Sequence, residues 1–196
     1  MTKRQDRLLI LASRSKARQD LLKQIGLRFR VEAPRVRERR GLRGRTSKLV
    51  CQNAVKKAKA VAAKHHSGVV IAADTVVRVG RTIIGKPKNI RDAVRTLLLL
   101  SRKPQWVYTG VAVIDIDRHK TLTAYDRTKV FMCPLSDQQA LNYFKKISPL
   151  DKAGSFDIQG LGSVFIDRVE GCFYNVVGLP LAKLARLLRR VGIDLF

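Results

Sequence analysis

Negative charge is scarce in this sequence. Fifteen Asp and Glu stand against forty Lys and Arg, leaving a formal charge of +25 over 196 residues. Such a balance draws anions to the protein and makes encounter with them salt-sensitive. Aromatic residues are also few, at 6%. The densest basic stretch, Arg35 to Lys48, has none on which a base could stack. Nucleic acid is therefore a candidate partner bound without sequence preference, and a flexible basic loop accounts for that stretch equally well. The three cysteines, Cys51, Cys133 and Cys172, are far apart and form no CxxC pair. That excludes a disulfide framework and a zinc site, and suits free thiols in a reducing cytoplasm. No apolar run approaches the ~18 residues of a membrane span. Leu8 to Ala12 is too short for the core of a signal peptide. A cytoplasmic protein with no membrane partner is expected. His65, His66 and His119 have neither metal spacing nor a nucleophile motif beside them. Neither an internal repeat nor a low-complexity tract is present.

What remains is an ordinary globular composition, 45% hydrophobic, of a length that suits one domain over 1–196. Leu8 to Leu11 reads as a short strand, and Ser15 caps a helix with Leu21, Leu22 and Ile25 inward, stopped by Gly26. Arg28 to Glu32 alternates as a strand. Thr46 or Ser47 opens a helix running to about Lys64, with Val50, Ala54, Ala58, Val61 and Ala62 on one face. The run Val69 to Val77 is a strand leading to a hairpin at Gly80-Arg81. Asn89 starts a helix through Leu100. Trp106–Ile116 and Thr128–Cys133 read as strands. Ser136 and Gln139 form a capping box on a helix with Ala140, Leu141 and Phe144 inward. Ser163–Val169 and Phe173–Val177 read as further strands, and Pro180 begins a last helix with Leu184, Leu187, Leu188 and Val191 inward. The sum is an α/β protein with a mixed sheet flanked by helices.

Two stretches carry the chemistry. In the first, Asp74 interrupts the apolar run Val69-Val70-Ile71-Ala72-Ala73-Asp74-Thr75-Val76-Val77, with Gly85-Lys86-Pro87 shortly after. A carboxylate there is costly to bury unless charge stands opposite it. It either bonds nearby backbone at a strand end, or binds a divalent cation or activates water. In the second, Lys152 precedes the small residues Ala153 and Gly154, which permit close approach of a ligand. Gln159, between Ile158 and Gly160, has an amide suited to a base edge or to a structural hydrogen bond. Gly80 to Pro87 nearly matches the phosphate-loop pattern GxxxxGK[ST]. Pro87, however, stands where that loop needs a hydroxyl and an N–H, and Ile83-Ile84 belongs in a strand. Lys57 lies on a helix, where a solvated lysine is the default.

In their order along the chain these pieces resemble the Maf family of nucleotide pyrophosphatases. Leu11-Ala12-Ser13-Arg14-Ser15-Lys16-Ala17-Arg18 matches its opening motif. Glu38 stands at its acidic position, Lys57-Ala58 at its helical Lys-Ala pair, and Ala73-Asp74-Thr75 and Gly85-Lys86-Pro87 are intact. Thr109-Gly110-Val111 also fits. Asp151 to Gly160 and Glu170 to Pro180 are the most specific matches, and the resemblance spans roughly residues 7 to 191. It implies a Maf/ITPase-like mixed sheet with two lobes around a deep cleft, often in a homodimer. It also implies hydrolysis of a nucleoside triphosphate between the α and β phosphates with Mg2+ or Mn2+. On this reading Glu38 and Asp74 hold the metal, and Asp74 and Lys86 are catalytic. Ser13, Arg18, Lys57, Thr75, Lys152 and Gln159 bind substrate, with Thr75 and Gln159 marking the dTTP/UTP branch.

Three departures accompany the match. The family's Pro-Arg is Lys16-Ala17, its Gly-Glu-Pro glutamate is Ser148, and its Ser-Gly-Arg is Ser101-Arg102-Lys103. A lysine does not replace a bidentate arginine, and one lost phosphate contact is worth about 1.5–3 kcal/mol. Two functions follow: a pyrophosphatase acting on pyrimidine or modified nucleotides, or a non-enzymatic nucleotide- or nucleic-acid-binding protein linked to cell-division control.

Overall fold

Small residues decide how the backbone is stacked. In the computed structural model, which describes residues 7–39, 45–148 and 153–196, Gly110 lies directly beneath a helix. A Cβ there would stand 2.5 Å from the Val50 carbonyl carbon and 2.6 Å from the Cys51 nitrogen. Strand β1 (Leu9–Leu11) leads to helix α1 (Lys16–Gln24), then β2 (Arg30–Val31), α2 (Thr46–Ala62), β3 (Val69–Val79) and β4 (Thr82–Ile84). There follow α3 (Ile90–Arg102), β5 (Gln105–Asp115), β6 (Lys120–Met132), α4 (Asp137–Lys146), β7 (Ile166–Glu170), α5 (Phe173–Val177) and α6 (Leu181–Arg189). Among the described residues the strands form one seven-stranded mixed sheet of order β2-β1-β3-β5-β6-β7, with β4 paired to β3. β1 runs parallel to both β2 and β3, while β3–β4 and β6–β7 are antiparallel.

The chain divides into two compact units. The first comprises the segments up to Asp74, Thr109–Asp126 and Gly178–Phe196; the second comprises Thr75–Tyr108 and Arg127–Val177. In the first unit the apolar stripe of α2 (Ala54, Ala58, Val61) packs on Ile10, Val70, Ala72, Ala112 and Ile114. Alanines at these positions keep the helix close to the strands. Arg7 also ties this unit together, bonding Asp115 and, at 2.5 Å, Asp117, and donating at 2.9 Å to the Val191 carbonyl beyond α6. In the second unit Leu97 and Leu100 of α3 and Tyr143 and Phe144 of α4 close over Val77, Val107 and Val130.

The capped helices stand where their sequence signals place them. Ser15 accepts from the Arg18 N–H, Asn89 from the Asp92 N–H, and Ser136 and Gln139 complete a capping box. The hairpin closes at Gly80-Arg81, with Val79 opposite Thr82, so the Gly80–Pro87 stretch contains a strand where an anion-cradling loop would be. Other expectations are corrected. Phe173–Val177 is a helix, not a strand. It is set by Asn175, whose buried amide donates to Val107 O (3.0 Å) and Thr128 Oγ1 (2.9 Å). Ser163 to Phe165 belongs to a 3₁₀ turn, Leu161–Phe165, and pairing with β6 starts only at Ile166. Leu141 faces solvent, and Tyr143 takes the inward place. Of Arg28–Glu32 only Arg30–Val31 pair as strand, and both are exposed. The second helix ends at Ala62, leaving His65 to bond Glu32 at 2.8 Å. Among the described residues no helix is long and apolar enough to cross a membrane.

Candidate active site

In the first unit the turn after β1 and the start of α1 form one polar corner. Ser13, at 6% exposure, accepts hydrogen bonds from the Ser15 N–H (3.2 Å) and from Arg18 Nη1 (3.3 Å). Arg18 Nε donates to the Gly178 carbonyl at 2.9 Å. Burial pushes the Arg18 guanidinium below its usual value, and the charges of Asp74 and Glu38 pull it back up.

The centre of the site is a three-residue ion cluster, also wholly within the first unit. Lys57 Nζ stands 2.6 Å from Asp74 Oδ1 and 2.7 Å from Glu38 Oε1. Lys57 comes from the buried face of α2 and Asp74 from mid-strand in β3, where side chains of α2 bond its carboxylate. The side chains are 5% (Asp74), 11% (Lys57) and 48% (Glu38) exposed. The cluster thus runs from the interior outward, and a ligand arriving from solvent meets Glu38 first. Two carboxylates share this one ammonium. All the acidic donors are hard oxygens, the chemistry that suits Mg2+ or Mn2+. Among the described residues no group of three or more His, Cys, Asp and Glu is arranged to hold a metal alone. Two carboxylates supplemented by substrate phosphates and water is the usual way Mg2+ is held. The residues present therefore fit such an ion.

Lys57 is not the solvated lysine that its helix suggests. The buried stripe of α2 carries polar side chains where it passes Asp74, and Asn53 is the second of them. Its Nδ2 lies 3.0 Å from Asp74 Oδ2. Sequence reasoning passed over Asn53, although it falls three residues after Val50 and four before Lys57, on the same face.

The remaining expected site residues belong to the second unit. Thr75 follows Asp74 on β3 and is half-buried, and Lys86 is exposed between β4 and α3. Gln159 is exposed in a turn in which its N–H donates to Asp157 Oδ1 at 3.0 Å. Lys152 lies outside the described residues.

A family model described as "Maf-like protein" matches residues 8–191 of this chain. Among curated relatives, a dTTP/UTP pyrophosphatase of Dictyoglomus turgidum is 43% identical over 188 residues, 95% of this chain and 97% of that protein. A dTTP/UTP pyrophosphatase of Bacillus cereus is likewise 43% identical, over 96% of this chain and 97% of its own length. Among solved structures, that of the Staphylococcus aureus Ham1 protein aligns with TM-score 0.45 and 17% identity, covering 64% of this chain and 71% of that one.

Proposed function

The chain belongs to the Maf family, and from that membership we propose that it is a cytoplasmic pyrophosphatase cleaving dTTP, UTP or modified pyrimidine nucleotides into the monophosphate and pyrophosphate. The observation that carries this reading is the Glu38–Lys57–Asp74 cluster, two carboxylates sharing one buried ammonium. Glu38 and Asp74 are the residues that would hold Mg2+ or Mn2+. When bound, such an ion supplies Lewis-acid polarisation of phosphoryl oxygens.

Asp74 has two roles open to its carboxylate. Lys57 and Asn53 each fix one oxygen, so the group is oriented before substrate arrives, and a free lone pair can accept a proton from the attacking water. Lys57 offsets carboxylate charge that would otherwise repel a triphosphate. Arg18 and the Ser13 corner present donors for phosphate oxygens, while Lys86 and Lys152 are assigned, from the family resemblance, to catalysis and substrate binding respectively. Positive groups aimed at developing phosphate charge supply most of the catalysis in such transfers. Thr75 and Gln159 are the positions we assign to pyrimidine choice.

The test is pyrophosphate release from dTTP, UTP, CTP and modified nucleotides with Mg2+ or Mn2+, comparing this protein with Asp74→Asn. Release that falls about 10²–10⁴-fold in the variant is the expected result. No release by the wild-type protein across that panel and both metals would overturn the assignment.

A further inference from the structure

Asn53 is an awkward residue for its place. It lies within α2, where asparagine is a poor helix former, and is only 3% exposed. An amide buried there costs free energy unless its hydrogen bonds are made. They are made, and all serve the ion cluster. Nδ2 donates to Asp74 Oδ2 at 3.0 Å and to the Arg39 carbonyl at 3.2 Å, while Oδ1 accepts from the Arg39 N–H at 2.9 Å. The amide orientation is dictated by these partners, since a flipped group would set oxygen against two acceptors.

Helical geometry makes the arrangement economical. Asn53 and Lys57 are one turn apart on a single face, so α2 delivers an amide to one oxygen of Asp74 and an ammonium to the other. The same amide clamps the backbone of Arg39 from both sides, and Arg39 is the neighbour of Glu38. The two acidic groups, one on β3 and one on the segment after β2, are therefore registered to each other through one side chain. Aspartate offers no donors for this task and leucine offers nothing polar, whereas asparagine has the two donors and the acceptor it needs.

We propose that Asn53 is a positioning residue that sets the orientation of the Asp74 carboxylate and the placement of Glu38 together. Its effect on turnover rests on the pyrophosphatase reading above; its effect on geometry does not.

The test compares wild type with Asn53→Leu and Asn53→Asp. In Asn53→Leu the Arg39 amide proton exchanges at least about tenfold faster by NMR, and kcat falls about ten- to a hundredfold with KM changing less. Asn53→Asp keeps an acceptor for the Arg39 N–H, so exchange there stays near wild type, yet kcat still falls because the donor to Asp74 is gone. Wild-type kcat in either folded variant, or unchanged Arg39 exchange in Asn53→Leu, overturns the proposal. If Asn53→Leu fails to fold, Asn53→Asp decides by the same two readings. A wild-type protein that releases no pyrophosphate would sink the activity alone, and Arg39 exchange would still decide the positioning role.

Discussion

Lys57 and Asp74 meet at 2.6 Å across 17 residues of sequence, and neither is exposed enough for water to replace the other. Removing one partner of a largely buried pair leaves the second charge uncompensated. The consequences of that dependence can be measured.

Lys57→Met leaves the Asp74 and Glu38 carboxylates unbridged. The expected loss is about 3 kcal/mol, or a Tm lower by roughly 6–12 °C for a chain of this size. Added Mg2+ or Mn2+ recovers part of that loss and stabilises the wild-type protein less. Thermal denaturation with and without the metals checks both statements, and an unchanged Tm would contradict the first.

Glu38→Gln acts differently because Glu38 is half exposed. Exposed ion pairs contribute little to stability, so Tm stays near that of wild type. The Mg2+ concentration needed for half-maximal pyrophosphate release rises about tenfold or more, on the scale seen when metal-site groups are altered. A titration curve that superimposes on wild type would place the cation elsewhere.

Gly110→Ala tests the stacking of α2 on β5. The added methyl would meet Val50 and Cys51 main-chain atoms at 2.5–2.6 Å, and backbone cannot rotate away as a side chain can. A cost of about 1–3 kcal/mol or more follows, read as a lower Tm. Activity falls with it, because α2 carries Lys57 and Asn53.

Arg7→Ala addresses acid stability. Burial opposes the charge on Asp115, but hydrogen bonds and charge from Arg7, with help from Arg118, hold its carboxyl below the usual value. A carboxyl lowered on folding stabilises the protein above its unfolded value and loses that contribution as pH falls through about 4 and below. The wild-type Tm therefore drops steeply below about pH 4, while Arg7→Ala starts lower at pH 7 and changes less over that range. Parallel Tm curves from pH 7 to 3 would refute the linkage.

Legibility from sequence followed the range of the forces involved. α1, α3 and α4 announced themselves through local caps, and α2 and α6 through apolar periodicity. The five residues of α5 are too few to show a period, and their helix is set by Asn175 bonding to Val107 and Thr128, far along the chain. Asp74 stood out because a carboxylate in an apolar run demands a partner. Lys57 did not, because a lysine on a helix needs no explanation until its partners on other segments are seen. Glu38 came only through family resemblance. Asn53 was readable in principle, as a polar residue on the stripe of Val50, Ala54, Ala58 and Val61, but small polar residues on such stripes attract no notice.

Arg7, reaching the Val191 carbonyl at 2.9 Å, has one more implication. Arg7 and Val191, 184 positions apart in sequence, are thus spatial neighbours. A short Gly/Ser bridge between the extremities, with fresh termini opened at the Gly80-Arg81 turn, would rewire the order of the segments while leaving Glu38, Asn53, Lys57 and Asp74 on one uninterrupted stretch. Such a permuted chain would show whether the ion cluster needs the native order of synthesis or only the native neighbours.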